Sequence, residues 1–146
     1  MLKLEVSHFI QAGHQLPDSI DLVTKACHNY HGHTYGIQVS MYSEKANRHG
    51  MVVDFKGIKM LLDNYDHTYI FTAGNKAHMA VAKAMQKDNP NQRFIWLPNE
   101  PTAENIAQSM LNVLQMAYPD VEDITVRLCE GYKGVDNTSW VIAHDE

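Results

Sequence analysis

Cysteine is scarce in this chain: Cys27 and Cys129 are the two in 146 residues, so at most one disulfide can form and the fold must rest on a core. Cations are scarce too. Twelve Lys and Arg stand against seventeen Asp and Glu, a formal charge of -5, which argues against nucleic acid as the main partner. There is no apolar run long enough to span a bilayer and no basic-then-apolar opening. Neither a membrane span nor a secretory leader is therefore expected, and both cysteines are expected as thiols in the cytoplasm. Internal repeats, low-complexity stretches and linkers are missing, so residues 1–146 are read as one domain. No His-Glu-x-x-His occurs, which argues against a hydrolytic zinc helix.

Histidine, by contrast, is abundant, with nine in the chain. The stretch Cys27-His-Asn-Tyr-His31-Gly-His33 opens a run of strict alternation. His31, His33, Tyr35, Ile37, Val39 and Met41 share one parity, and Gly32, Thr34, Gly36, Gln38 and Ser40 the other. Such a run predicts a half-buried strand over 31–43 with both imidazoles on its apolar face. Residues 2–14 alternate likewise, placing Leu4, Val6, His8, Ile10, Ala12 and His14 inward. An antiparallel pair of these strands, joined by a loop over 17–27 that carries Cys27, can bring His14, His31 and His33 together. Taken alone, His-x-His fits a satisfied histidine pair more readily than a metal site. Three imidazoles with an open fourth position match the coordination of a catalytic zinc.

Further along, Met51–Val53 is expected as a short strand, and Asp54 as the N-cap of a helix over about 55–65 burying Phe55, Ile58, Leu61, Leu62 and Tyr65. At its end Asp66 and His67 read either as polar loop residues or as an orienting carboxylate with a proton carrier. A helix over 75–87 has Ala77, Ala80, Val81, Ala84 and Met85 at helical spacing, with His78 on the solvated side. Arg93–Leu97 is expected as a strand. Thr102 is expected as the N-cap of a helix to about 117, burying Ile106, Met110, Leu114 and Ala117, with Glu104 in its first turn. Residues 123–130 alternate, putting Glu130 on the face of Ile124, Val126 and Leu128. There it either ends the strand at the surface or meets a donor-rich ligand. A loop over 131–137 and a last strand over 139–143 complete the chain.

Six segments in order resemble the 6-pyruvoyl-tetrahydropterin synthase family: Ala12-Gly13-His14-x-Leu16, Cys27-x-x-x-His31-Gly32-His33-x-Tyr35, Gly50-Met51-Val52-Val53-Asp54-Phe55, Asp66-His67, Pro101-Thr102-Ala103-Glu104-Asn105 and Glu130. The three residues between Cys27 and His31 look like its 6-carboxy-tetrahydropterin synthase branch, which serves queuosine and 7-deazapurine biosynthesis; the pyruvoyl branch has five. The resemblance implies an α+β tunnelling fold, a four-stranded antiparallel sheet with helices on one face. It also implies a homo-oligomer, a trimer or dimer of trimers, with sites between subunits. It further implies Zn2+ on His14, His31 and His33, a catalytic thiolate at Cys27 and a proton-handling pair at Asp66 and His67. Glu130 would anchor the pterin ring, with Thr102 and Glu104 as further substrate-binding residues. The implied reaction converts 7,8-dihydroneopterin triphosphate to 6-carboxytetrahydropterin, acetaldehyde and triphosphate. The alternatives are triphosphate elimination alone, as in the pyruvoyl branch, or a zinc- or pterin-binding module without catalysis. Lys25, His28 and Lys133 are candidates for the triphosphate. Ile10 and Gly13 depart from a usual Phe and Ala, Gly131 from a Thr, and the segment at about 72–100 is enlarged.

Overall fold

Strict alternation gives the two long strands where it is strongest. β1 (Leu2–His14) and β2 (His31–Ser43) pair antiparallel along their whole length, from Leu2 opposite Ser43 to His14 opposite His31. The computed structural model describes residues 1–23, 25–131 and 139–144. A 3-10 turn, Ala26–His28, precedes β2. α1 (Phe55–Leu62) follows, capped by the Asp54 carboxylate on the Lys56 N–H, and a 3-10 turn over Asp63–Tyr65 extends it. The chain then forms β3 (Thr68–Thr72), α2 (Lys76–Asp88), β4 (Arg93–Leu97), α3 (Ala103–Ala117), β5 (Asp123–Glu130) and β6 (Val141–His144). Among the described residues no helix is long and apolar enough to cross a membrane.

The expected four-stranded antiparallel sheet needs correcting. All six strands form one mixed sheet in the order β4-β3-β1-β2-β5-β6. β1, β2, β5 and β6 pair antiparallel, whereas β3 joins β1 in parallel and β4 joins β3 in parallel. Parallel neighbours need a crossover, and α2 supplies it, so β3, α2 and β4 form a β-α-β unit on the β1 edge. Thr68–Thr72 escaped the sequence reading because four of its five residues are buried, which erases alternation. Met51–Val53, expected as a strand, is irregular.

The core lies between one face of the sheet and helices α1 and α3. Val6, Ile10, Tyr35, Ile37, Val39, Val126 and Leu128 meet Ile58, Leu62, Ile106, Met110 and Leu114 there. Phe55 and Ala117, expected inside, are exposed, while Ala107 and Leu111 are buried. The helices are not all on one face. His78 of α2 stacks on Phe71 with ring centroids 4.8 Å apart, and Phe71 points away from the core that its neighbour Ile70 joins. α2 therefore covers the opposite face at the β3–β4 edge, and it packs through His78 and Ala82, flanked by half-buried Val81 and Met85. His78, expected in solvent, is fully buried, whereas Ala77, Ala80 and Ala84 of the expected stripe are exposed. Elsewhere that outer face is polar: Lys3 pairs with Glu5 at 2.7 Å, and the Arg127 guanidinium donates to Gln38 at 2.9 Å.

Candidate metal and pterin site

Register carries the three histidines to one point. His14 ends β1 directly opposite His31, which begins β2, and His33 is the next inward residue. Their ligand nitrogens lie within 4.8 Å of one another, and among the described residues this is the one group of three or more His, Cys, Asp or Glu able to share an ion. The Nε2 atoms of His14 and His31 are 3.0 Å apart, and those of His14 and His33 are 3.2 Å apart.

Backbone carbonyls fix the tautomers. His14 Nδ1 donates to the Pro101 carbonyl at 2.7 Å, and His31 Nδ1 donates to the Asn29 carbonyl at 2.6 Å. A carbonyl can only accept, so each Nδ1 holds a proton, and in its neutral form each ring offers its Nε2 lone pair to the cluster. Burial, partly countered by the Pro101 carbonyl and reinforced by the two neighbouring imidazoles, lowers the His14 pKa to about 4. Burial and then His31 lower His33 as well. Two lone pairs facing each other at 3.0 Å repel unless a cation lies between them. Zinc–nitrogen bonds of about 2.0–2.1 Å at tetrahedral angles separate nitrogens by about 3.3 Å. The donor set, the spacing and the carbonyl orienters all fit a metal ion.

Glu130 closes one side. It pairs with Tyr35 across β2 and β5, and its carboxylate oxygens lie 3.8 Å from His14 Nε2 and 3.7 Å from His33 Nε2. Burial raises its pKa; His31 opposes that and Glu104 adds to it. Beside it the buried Tyr35 hydroxyl has no hydrogen-bond partner among the described residues. Burial and the Glu130 charge push that hydroxyl strongly up, so it stays protonated. An unused donor and a two-oxygen acceptor thus stand side by side at the cluster.

Asp66 and His67 form a pair of their own. Asp66 Oδ2 accepts from His67 Nδ1 at 2.8 Å, and Asp66 Oδ1 accepts from the Gln11 N–H at 2.7 Å. Burial works to raise the Asp66 carboxyl, but the Gln11 amide and His67 outweigh it and hold it below the usual range. His67 sits at φ +53, a left-handed conformation rare outside glycine, held by its N–H on the Gln11 carbonyl at 2.6 Å. The Arg93 guanidinium donates to the Asp66 carbonyl. Gly32, His33, His67 and Arg93 line one cleft of about 700 Å³.

Cys27 lies half-buried in the 3-10 turn as a free thiol, outside the group of mutually close donors. Its carbonyl accepts from the Leu16 N–H at 3.0 Å, which ties the turn to the end of β1. Thr102 caps α3 through the Asn105 N–H at 3.3 Å, and Glu104 is exposed in the first turn. Lys133, with residues 132–137 of the expected loop, lies outside the described residues. Pro101 and Asn29 act through backbone carbonyls, for which sequence carries no signal. His78, Ala82 and Met85 share a helical face just as the alanine stripe does, so periodicity alone does not choose between the two faces.

Comparison with known proteins agrees with this architecture. The family model described as 6-pyruvoyl tetrahydropterin synthase matches residues 3–138. A 6-carboxy-5,6,7,8-tetrahydropterin synthase of Haemophilus influenzae is 35% identical over 98 residues, 61% of this chain and 67% of that protein. One of Rickettsia conorii is 32% identical over 107 residues, 69% of this chain and 71% of that protein. One of Rickettsia bellii is 34% identical, and the match spans 63% of its length, under two thirds. Among solved structures, 6-pyruvoyltetrahydropterin synthase of Plasmodium vivax superposes with a TM-score of 0.65 at 16% identity, covering 99% of this chain and 97% of that one. An uncharacterized protein of Wolinella succinogenes superposes at 0.64 and 19% identity over the whole of both chains. The chain belongs to the 6-pyruvoyl tetrahydropterin synthase family, and its fold is that of the solved synthases.

Proposed function

We propose that this chain is a zinc-dependent 6-carboxy-5,6,7,8-tetrahydropterin synthase, converting 7,8-dihydroneopterin triphosphate to 6-carboxytetrahydropterin, acetaldehyde and triphosphate in the 7-deazapurine and queuosine pathway. The observation that carries the reading is the pair of carbonyl-fixed imidazoles, His14 and His31, whose Nε2 lone pairs meet at 3.0 Å beside His33. Relatives named for this activity, at 32–35% identity, support it.

His14, His31 and His33 would hold the ion, which when bound would supply Lewis-acid chemistry at the substrate side chain. Glu130 accepts hydrogen bonds from the pterin amino and ring N–H groups, and its raised pKa is relieved when those donors arrive. Cys27 takes a proton from the substrate side chain as a thiolate. His67, held by the ionised Asp66, returns protons during triphosphate loss and carbon–carbon cleavage. Thr102 and Glu104 are the further substrate-binding residues of this reading, and Lys25, His28 and Lys133 are its candidate cations for the triphosphate. A homo-oligomer, a trimer or a dimer of trimers with sites between subunits, in the cytoplasm is the working form.

Incubation with 7,8-dihydroneopterin triphosphate, with zinc measured on the same sample, tests the reading. Acetaldehyde and 6-carboxytetrahydropterin are expected in equal amounts. Triphosphate release without acetaldehyde indicates the pyruvoyl-type elimination instead, and no triphosphate release indicates a binding module. Cys27→Ala is expected to retain zinc and pterin while losing turnover.

A further inference from the structure

A chain of hydrogen bonds runs from α2 to the turn that carries Cys27, through His78 and Gln15. The His78 ring is fully buried, stacked on Phe71. Its Nδ1 accepts the Thr72 N–H at 3.0 Å. A backbone N–H can only donate, so Nδ1 is bare and the proton sits on Nε2. That Nε2–H donates to Gln15 Oε1 at 2.7 Å.

The Gln15 amide is thereby oriented, with its Nε2 facing the other way. It donates to the Leu16 carbonyl at 2.9 Å and to the His28 carbonyl at 3.0 Å. His28 Nδ1 in turn donates to the Leu16 carbonyl at 2.8 Å, and the Leu16 N–H donates to the Cys27 carbonyl at 3.0 Å. From the far side, the Asn29 carbonyl accepts from His31 Nδ1. The turn over residues 26–29 is thus tied at one end to the neighbour of His14 and at the other to His31. Its 3-10 segment is only three residues long, has no side-chain cap and buries none of its own residues. Its position depends on those ties and on the adjacent Tyr30, whose ring meets Phe71 and His78 with centroids 6.1 and 6.3 Å away.

We propose that His78, acting through the Gln15 amide, is a positioning residue that sets Cys27 relative to the histidine cluster. The proposal rests on the function given above in taking Cys27 as the reacting thiol. The β-α-β unit at the sheet edge thereby delivers a histidine of fixed tautomer to the back of the thiol-bearing turn.

Two substitutions at position 78 separate positioning from packing. In His78→Gln the terminal amide reaches the place of Nε2 and keeps a donor for Gln15. In His78→Asn the oxygen keeps the acceptor for Thr72, but nothing reaches Gln15. Gln15→Met breaks the same link at a half-buried site and does not depend on α2. Expected for His78→Asn and Gln15→Met is a fall in kcat of about five- to tenfold, with KM within about twofold. Zinc content should stay that of the wild type, and the double variant should be no worse than either single one. Alkylation of Cys27 by iodoacetamide should be several-fold faster in both, with buried Cys129 as the internal reference. His78→Gln should restore both readouts towards wild type. Equal damage from His78→Gln and His78→Asn, wild-type alkylation and kcat in Gln15→Met, or additive losses in the double variant would each overturn the proposal. A wild-type chain that releases no triphosphate sinks the proposed reaction instead, while the alkylation series still decides the link.

Discussion

Each imidazole of the cluster is prepared by what lies behind it. His31 is half-buried at a strand end, so its loss leaves no large cavity. His31→Ala is therefore expected to fold, yet to purify with little zinc; metal analysis showing full occupancy would remove His31 from the ligand set. His14 is different, being 1% exposed. Its pKa of about 4 lies below the unfolded 6.5, so between those values the unfolded chain binds the extra proton. Stability of the metal-free protein should rise with pH from about 4 to about 6.5 and level off above. The window is worth about 3 kcal/mol at most. Urea midpoints across that range check this, and a flat series would contradict the buried neutral state. Both residues were legible by parity and spacing, but the carbonyls of Pro101 and Asn29 that orient them were not.

Among the elements, the junction of β1 and β3 shows how neighbouring strands fix a residue choice. A Cβ on Gly13 would come within 2.5 Å of the Tyr69 ring, which crosses the strand pair at that register. Glycine at position 13 leaves the room that the Tyr69 ring of the β-α-β unit fills. Gly13→Ala is expected to cost about 1–3 kcal/mol in the melting or denaturant midpoint. Tyr69→Ser in the same chain should recover most of it, and a double variant as unstable as the sum of the two would dispose of the explanation. Strands β1, β2 and β5 could be read from alternation because one face meets the core and the other is polar. α2 misled for the opposite reason: alanines are weak markers of burial, and its packed face is chosen by Phe71 and Gln15, which meet it only through the fold.

For the whole molecule, the cluster with Glu130 and the pair Asp66–His67 are separate groups that share a cleft through His33 and His67, and Cys27 stands on a turn outside the cluster. If sites are completed between protomers, one inactive chain can supply what another lacks. Mixing His31→Ala with His67→Ala, after dissociation and reassembly, should then restore a measurable part of the turnover that each variant lacks alone. Mixtures as inactive as their components would confine the site to one chain.

The sequence by itself determined the long antiparallel pair, the inward histidines and the acid at the end of β5, because a period of two assigns faces without reference to anything distant. Tertiary structure alone decided the parallel pairing of β3 and β4, the burial of His78 and the tautomers at the cluster. Each of those depends on a partner brought close only by folding, and a partner of that kind leaves no local periodicity to read.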